Sequence, residues 1–294
     1  MSLIIGTRGS ALALAQTERV CRLLADQGIE VDMQIITTEG DAKTGVPLHE
    51  IGGQGVFVRA LDEAILRREI DAAVHSMKDI PAARPPGLAC CAVLKRDSPA
   101  DFLAYEGTCD EIAVVGTSST RRIAQILRHD PSVSVKPLRG NVDTRIRKLA
   151  ERQYDAIVLA EAGIERLGYR LNGDRLPPDR FVPSPNQGAI AVVCRADPSL
   201  VETLSALDHG PTRLDAEIER AVMEEVGGGC FTPQGIYCRD KNLIAEVLSL
   251  DGSRWERIER RVTTLEEARA CGRELRSRSE TLIREAYEAL GVGT

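Results

Sequence analysis

Apolar and polar positions follow two different periods along the first two thirds of the chain. Short runs rich in β-branched residues alternate with longer segments in which apolar residues recur every three or four positions. These periods are typical of buried strands and amphipathic helices, so they predict α/β layers around largely parallel sheets. The predicted strands are Leu3–Ile5, Val31–Ile36, Ala72–His75, Leu88–Leu94, Ala113–Val115, Val133–Val135, Ala156–Leu159 and Ala189–Cys194. The predicted helices include Ser10–Gln27, Phe57–Arg68, Ser119–His129 and Val142–Arg152.

This pattern repeats once. Matched fragments occur in the same order, which predicts two lobes of one topology, as in hinged binding proteins whose ligands lie in the cleft between lobes. The matched pairs are Ile5–Ser10 with Val115–Arg122, Ala15-Gln16 with Ala124-Gln125, and Asp71–Val74 with Asp155–Val158. Turn-forming residues at Lys95–Pro99 and Pro183–Gly188 indicate the two crossings between the lobes.

The order of elements changes beyond about residue 211. A predicted helix over Thr212–Val226 precedes strands near Ile236–Cys238, Leu243–Leu250 and Glu256–Val262. A final helix follows, and its apolar stripe is typical of core packing. This order predicts a separate small domain.

Charge narrows the classes of partner. The formal net charge of −6 over 294 residues disfavours nucleic acid or an anionic membrane as the main partner. No apolar run approaches the roughly 20 residues that span a bilayer, and the first residues lack an export-signal pattern, so we expect a cytoplasmic protein. Arg greatly outnumbers Lys. Genome composition or thermal adaptation explains this bias, and so does a need to bind carboxylates in a bidentate way.

The eight cysteines and four histidines show no spacing typical of a zinc site or a disulfide framework, so we expect no metal. Most of the cysteines lie among apolar neighbours, which indicates small core residues. Cys230 differs because it follows Gly227-Gly228-Gly229. A glycine run lets the backbone come close to a ligand, so Cys230 is a candidate nucleophile or attachment site, although a flexible loop also explains the glycines.

The two repeated helix starts are candidate anion sites. Ser10 and Ser119 stand where backbone N–H groups are unpaired and the helix dipole is positive, although a plain N-cap explains either serine. Arg8 lies near the first start, and Arg121 and Arg122 lie just after the second. Clustered arginines at the positive end of a dipole repel one another unless an anion binds there.

Two further arginines, Arg139 and Arg145, surround another predicted loop-to-helix start. Together with the first set they predict a ligand that carries several carboxylates or phosphates. The chain has no GxxxxGK[ST] or GxGxxG motif, which argues against a nucleotide.

A pair of reactive residues stands at a strand end. Lys78 and Asp79 follow the predicted strand Ala72–His75 and precede Pro81. An adjacent Lys-Asp pair is commonly a surface ion pair, but α/β proteins bind ligands at the carboxyl ends of their strands. We therefore expect Lys78 and Asp79 to belong to a site.

Together these segments resemble the porphobilinogen deaminase family over nearly the whole chain. The HSMKD motif at His75–Asp79 and the LRGNVDTR motif at Leu138–Arg145 are specific enough to identify the family. The other matching segments are Thr7–Ser10, Gly52–Gly55, Val115–Arg122, Asn186–Ala189 and Gly228–Cys230. One departure is Gln54, which stands where the family has Lys.

The resemblance implies an α/β fold with three domains, of which two are periplasmic-binding-protein-like lobes and the last is a small α+β C-terminal domain. The first lobe is then discontinuous, over residues 1–94 and 188–207, and residues 98–183 form the second lobe. Residues 211–294 form the C-terminal domain, which carries the attachment cysteine.

The resemblance also implies a transferase that condenses four porphobilinogen molecules head to tail into linear hydroxymethylbilane and then releases it by hydrolysis. Cys230 then holds a dipyrromethane cofactor through a thioether, and Asp79 is the catalytic carboxylate. The enzyme is expected to be a monomer that needs no metal, nucleic acid or membrane. The residues implied to bind cofactor and substrate are Arg8, Ser10, Lys78, Thr117, Ser118, Ser119, Arg121, Arg122, Arg139, Gly140, Arg145, Arg166 and Gln187.

Two other classes of protein share parts of this pattern. A non-catalytic, two-lobed anion-binding protein explains the repeat and the arginines, but it leaves Asp79 and Cys230 without roles. A cysteine hydrolase that uses Cys230 needs a histidine base, and nothing in the sequence assigns one.

Overall fold

The computed structural model describes residues 2–37, 56–81, 84–227 and 229–291, and the side chains of residues 56, 57 and 230 are outside this description. The strands are β1 (Leu3–Thr7), β2 (Val31–Ile35), β3 (Ala72–Ser76), β4 (Leu88–Val93), β5 (Asp101–Tyr105), β6 (Val114–Gly116), β7 (Ser134–Lys136), β8 (Ala156–Ala160), β9 (Gly173–Leu176), β10 (Ile190–Arg195), β11 (Gln234–Arg239), β12 (Asn242–Leu248) and β13 (Trp255–Arg261). The α-helices are α1 (Ala11–Ala25), α2 (Val56–Leu66), α3 (Thr120–His129), α4 (Val142–Ala150), α5 (Glu161–Arg166), α6 (Pro198–Ser205), α7 (Gly210–Val226) and α8 (Leu265–Leu290). Short 3-10 turns occupy Met77–Asp79, Cys109–Glu111 and Gly229–Phe231.

The first of two compact units comprises Met1–Asp97 and Gly188–Leu214. Its sheet has the order β2-β1-β3-β10-β4, in which β10 runs against the other four strands. Apolar residues of β1, β3, β4 and β10 form one core with α1 and α6. The chain therefore leaves this unit after β4 and returns to complete its sheet with β10.

The second unit comprises Ser98–Gln187 and Asp215–Thr294. Its larger sheet has the order β7-β6-β8-β5-β9, in which β5 runs against the others. Alternate residues of β8 pack into two cores, one with α4 and α5 and the other with α3. The antiparallel sheet β11-β12-β13 packs against α8, whose start at Thr264 is a capping box with Glu267.

The two larger sheets share one strand order, which confirms the predicted repeat. Strands β2-β1-β3 of the first sheet correspond to β7-β6-β8 of the second, and each set is followed by one antiparallel strand, β10 or β5. Matching aspartates repeat in detail: Asp71 accepts from the Ile4 N–H at 2.9 Å, and Asp155 accepts from the Val114 N–H at 2.7 Å. The fold class is thus α/β with two similar lobes and a small C-terminal domain of sheet and helix. The exact domain boundaries stay a prediction.

The structure also contains elements that periodicity did not predict. Strands β5 and β9 were missed because both contain Asp, and β9 also begins with Gly, residues that are rare in strands. The short helices α5 and α6 were missed as well. Among the cysteines with apolar neighbours, the expected core position is wrong for Cys90, which is exposed because it alternates with buried Cys91 along β4.

Candidate active site

The carboxyl ends of β1 and β3 meet at one edge of the first unit, because these strands are parallel neighbours. Arg8 directly follows β1, and Ser10 caps α1 by accepting a hydrogen bond from the Ala13 N–H at 3.3 Å. The Met77–Asp79 turn directly follows β3. The predicted residues of the first lobe therefore lie on neighbouring strand ends.

The Met77–Asp79 turn is held from both of its sides. The Met77 N–H donates to the Ala189 carbonyl at 3.0 Å, and the Ile80 N–H donates to the Met77 carbonyl at 3.1 Å. Met77 is buried, whereas Lys78 and Asp79 are exposed. Anchoring the turn at Met77 leaves its two charged side chains at the surface, where a ligand can reach them.

Two residues that sequence reasoning did not assign support this turn. Gln16 on α1 is buried and donates from Nε2 to the Ser76 Oγ at 2.9 Å, which connects the helix to the start of the turn. The only sequence signal for this role was the repeated Ala-Gln pair. His75 is also buried, and its Nε2 has no hydrogen-bond partner in the part of the chain that the structure describes.

His75 is uncharged at neutral pH. Burial, and after it the positive charges of Arg84 and Arg8, lower the pKa of His75 from 6.5 to about 3. Arg84 is itself paired with the buried carboxylate of Asp62. An added positive charge is therefore unfavourable in the surroundings of His75.

In the second unit, hydrogen bonds connect the turn after β6 to the loop before α4. The Ser118 hydroxyl donates to the Leu138 carbonyl and accepts from the Leu138 N–H, both at 3.0 Å. Thr117 Oγ1 accepts from the Ser119 N–H at 3.3 Å, and Ser119 caps α3 by accepting from the Arg122 N–H. The three predicted hydroxyl residues thus shape this region through backbone contacts.

Arg145 is a cation without an acidic partner. Its Nε donates to the Gly140 carbonyl at 2.8 Å, and no carboxylate pairs with it among the residues that the structure describes. Burial, together with the nearby charge of Arg122, lowers the pKa of Arg145 to about 10. Gly140 has a φ of 114°, and a Cβ there would lie 2.7 Å from the Thr144 side chain, so glycine is required beside this cation. An anionic ligand would offset the unpaired charge.

Arg121 and Arg122 are arranged differently, because both pair with the buried Asp101. Arg121 Nη1 lies 2.8 Å from one carboxylate oxygen, and Arg122 Nη2 lies 2.7 Å from the other. Gln187 Nε2 also donates to Asp101, at 2.8 Å. Burial alone would raise the pKa of Asp101, but the two arginines outweigh it and hold that pKa below its usual value. All three predicted site residues have this internal role, and their binding of a ligand stays a prediction.

The remaining predicted residues lie on several elements. Arg139 is exposed in the loop before α4, and Arg166 ends α5 in a half-buried position. Cys230 lies in the 3-10 turn Gly229–Phe231, and its side chain is outside the described part. Gln54 is outside the described residues altogether.

Within the described ranges, no group of three or more His, Cys, Asp or Glu side chains is arranged to hold a metal ion. No helix in those ranges is long and apolar enough to cross a membrane.

Comparisons with known proteins agree with the motifs. Residues 3–203 match the family model of the porphobilinogen deaminase dipyrromethane cofactor binding domain, and residues 214–280 match that of the porphobilinogen deaminase C-terminal domain. A probable porphobilinogen deaminase of Methanosarcina acetivorans is 52% identical over 99% of this chain and 98% of its own length. A porphobilinogen deaminase of Desulforamulus reducens is 42% identical over 85% of both chains. Among solved structures, the methionine-binding protein MetQ is 12% identical with a TM-score of 0.42, over 70% of this chain and 89% of its own, a likeness too distant to bear on function.

Proposed function

The chain belongs to the porphobilinogen deaminase family, and we propose that Asp79, Cys230 and a set of arginines carry the chemistry of that family here. The protein is a transferase of tetrapyrrole synthesis, which joins porphobilinogen units into a linear product. The non-catalytic alternative is therefore not retained. A monomeric state and a cytoplasmic location stay predictions.

Asp79 is the proposed catalytic carboxylate. Loss of ammonia from porphobilinogen leaves a methylene pyrrole cation, and a nearby carboxylate stabilises that charge and can hold the pyrrole N–H protons. Its place supports this role, because Asp79 is exposed on an anchored turn at a strand end, beside Lys78. His75, which ends the apolar part of the preceding strand, is buried and uncharged at neutral pH, so it adds no positive charge near this strand end.

The arginines are proposed to bind the acetate and propionate groups of the pyrroles. One observation carries this assignment: Arg145 is half-buried and has no carboxylate partner among the described residues. Each added pyrrole brings two carboxylates, so several cations are needed to hold a growing polyanion without a metal. Arg8, Arg139 and Arg166 are proposed to act with Arg145.

Cys230 is proposed to hold the dipyrromethane. The turn Gly229–Phe231 fits such a group, because the glycine before the cysteine carries no side chain to crowd a ligand. Attachment forms a bond between Cys230 Sγ and a methylene carbon of an aminomethyl pyrrole, breaks the carbon–nitrogen bond, and releases the thiol proton with ammonia. When bound, the group supplies the pyrrole end to which the next unit is joined.

The intact mass of the purified, denatured protein tests this attachment. A thioether adds the mass of two pyrrole units, and the addition survives both denaturation and reducing agent. Cys230→Ser should abolish the added mass and the activity together, whereas Cys109→Ser, at an exposed thiol elsewhere in the chain, should leave both unchanged. An active enzyme whose denatured mass equals that of the bare chain would overturn the proposal.

A further inference from the structure

We propose that Gln234 is a positioning residue for Cys230, because it restrains the backbone of the loop that presents this thiol for cofactor attachment. The inference rests on the proposed attachment at Cys230 and adds a residue that the family motifs do not include. Gln234 begins β11, four residues after the cysteine.

The Gln234 side chain is bonded to the loop itself. Its Nε2 donates to the Gly227 carbonyl at 3.1 Å and to the Gly229 carbonyl at 3.3 Å. An amide nitrogen carries two hydrogens, so both donors are used on two of the three glycines that precede Cys230. One side chain therefore bridges the loop immediately before the thiol.

The loop backbone needs such support. Gly227 and Gly229 have φ values of 71° and 51°, in the left-handed region that glycine adopts most readily. Glycine is also the residue with the greatest conformational freedom in the absence of restraint. Without bonds to these carbonyls, the loop can sample many conformations, and few of them hold the thiol in one place.

A second side chain holds the start of the loop. Arg276 on α8 donates from Nη1 to the Val226 carbonyl at 2.8 Å. A Cβ on Gly227 would lie only 2.6 Å from the same nitrogen, so the absence of a side chain there lets the arginine approach. Arg276 and Gln234 together bind the carbonyls of residues 226, 227 and 229.

The buried position of Gln234 in β11 indicates that its amide is stabilised by the bonds to the Gly227 and Gly229 carbonyls. Gln234, Ile236 and Cys238 alternate along β11, and all three are buried. An apolar residue is expected at such a position, since a buried amide costs free energy unless it is hydrogen-bonded. Gln234 Oε1 indeed has no partner among the described residues, so the Nε2 bonds are the gain that offsets this cost.

Restraint of the loop should speed the attachment step. The thiol must meet a methylene carbon in a narrow range of distance and angle, and a flexible loop spends less time in that range. Gln234→Leu keeps the approximate size and removes both donors. Ile236→Val is the matched control, because it alters the same face of β11 without touching the loop carbonyls.

The test uses full-length protein prepared without porphobilinogen, so that Cys230 is free. Porphobilinogen is then added and the added mass is followed by intact mass spectrometry, with hydrogen–deuterium exchange over residues 227–231 measured in parallel. In Gln234→Leu we expect attachment to be at least fivefold slower and exchange in this segment at least fivefold faster, whereas Ile236→Val should stay within twofold of the parent in both. Gln234→Glu, which also loses both donors, provides the same readouts if the leucine variant fails to fold.

Attachment and exchange at parental rates in both Gln234 variants would overturn the proposal. Equal slowing in Gln234→Leu and Ile236→Val would also overturn it, because general loosening of β11 would then explain the effect. If the parent itself gains no mass at Cys230, the attachment proposal fails, and exchange alone still decides whether Gln234 restrains the loop.

Discussion

The two lobes start their first helices in the same way and then diverge in charge. Helices α1 and α3 are capped by Ser10 and Ser119, and each carries a buried glutamine six residues later. Between cap and glutamine, the first lobe has Leu12-Ala13 where the second has Arg121-Arg122. The antiparallel strand of each sheet changes with them: β10 begins with an isoleucine and β5 with Asp101. The second lobe therefore has two arginines and an aspartate that pair with one another, at positions where the first lobe has apolar residues.

The lobes also differ where the corresponding strands β3 and β8 end. The segment His75–Asp79 in the first lobe corresponds to Leu159–Gly163 in the second, so the second lobe has no counterpart of Lys78 or Asp79. The second lobe instead has Arg145 on α4, a cation with no acidic partner in the part of the chain that the structure describes. The shared topology supplies two similar scaffolds, and under the proposed assignment the catalytic carboxylate belongs to the first lobe and the cation Arg145 to the second.

Removing the charge of Asp101 should have the largest effect. Asp101→Asn removes the carboxylate that two buried guanidinium groups share, and we expect the free energy of unfolding to fall by about 3–5 kcal/mol. Urea denaturation measures this change, with exposed Asp110→Asn as the control. Because the folded-state pKa of Asp101 lies below its ordinary 3.8, its contribution is present above that pH and is lost as the pH falls further. Equal stability of the two variants would show that the cluster is not structural.

Asp79→Asn tests the division of roles between the lobes. The amide has nearly the same size but cannot offset a developing cation, so turnover should fall on the order of a hundredfold or more while the cofactor and fold remain. Steady-state kinetics measures the loss of turnover, and intact mass shows whether the cofactor is still attached. Asp26→Asn, at an exposed carboxylate at the far end of α1, should have no effect. Turnover within about threefold of the parent would require another residue to be the catalytic carboxylate.

Arg145→Leu tests the anion site proposed for the second lobe. Loss of a charge-assisted hydrogen bond, worth about 1.5–3 kcal/mol, should raise the KM for porphobilinogen by about tenfold or more. Arg147→Leu is the matched control on the same helix, because that side chain is 68% exposed and lies 3.8 Å from Glu151. Similar KM values for the two variants would remove the evidence for an anion site at Arg145.

His75→Leu introduces the residue that the second lobe has at the corresponding position, Leu159. Its expected effect, a change in how the free energy of unfolding depends on pH, is the smallest of the four. Since the folded-state pKa is about 3 and the ordinary value is 6.5, the parent is most stable above pH 6.5 and loses stability as the pH falls toward 3. Between about pH 7 and 5.5 this loss should be about 1 kcal/mol, and it should be absent in the variant. Urea denaturation at several pH values measures it. An identical pH slope in both proteins would mean that His75 accepts its proton freely in the folded state.

Sequence periodicity predicted most of the regular structure, and motifs predicted where reactive residues lie. Runs such as the one that forms β8 are apolar on both faces, so they indicate a buried strand without knowledge of their neighbours. The repeat was likewise visible, since Asp71 and Asp155 stand at equivalent places before their strands. The position of Lys78 and Asp79 at a strand end followed from the same local pattern.

The sequence by itself determined the lobed α/β fold, its family, and the candidates Asp79 and Cys230, because periodicity and motifs are local properties of a chain. Only the tertiary structure decided that Asp101 lies between Arg121 and Arg122, which are about 20 positions further along, and that Gln234 reaches back to two loop carbonyls. The cost of burying a charge or an amide depends on what surrounds it after folding. That environment is assembled from residues distant in the chain, and no local pattern encodes it.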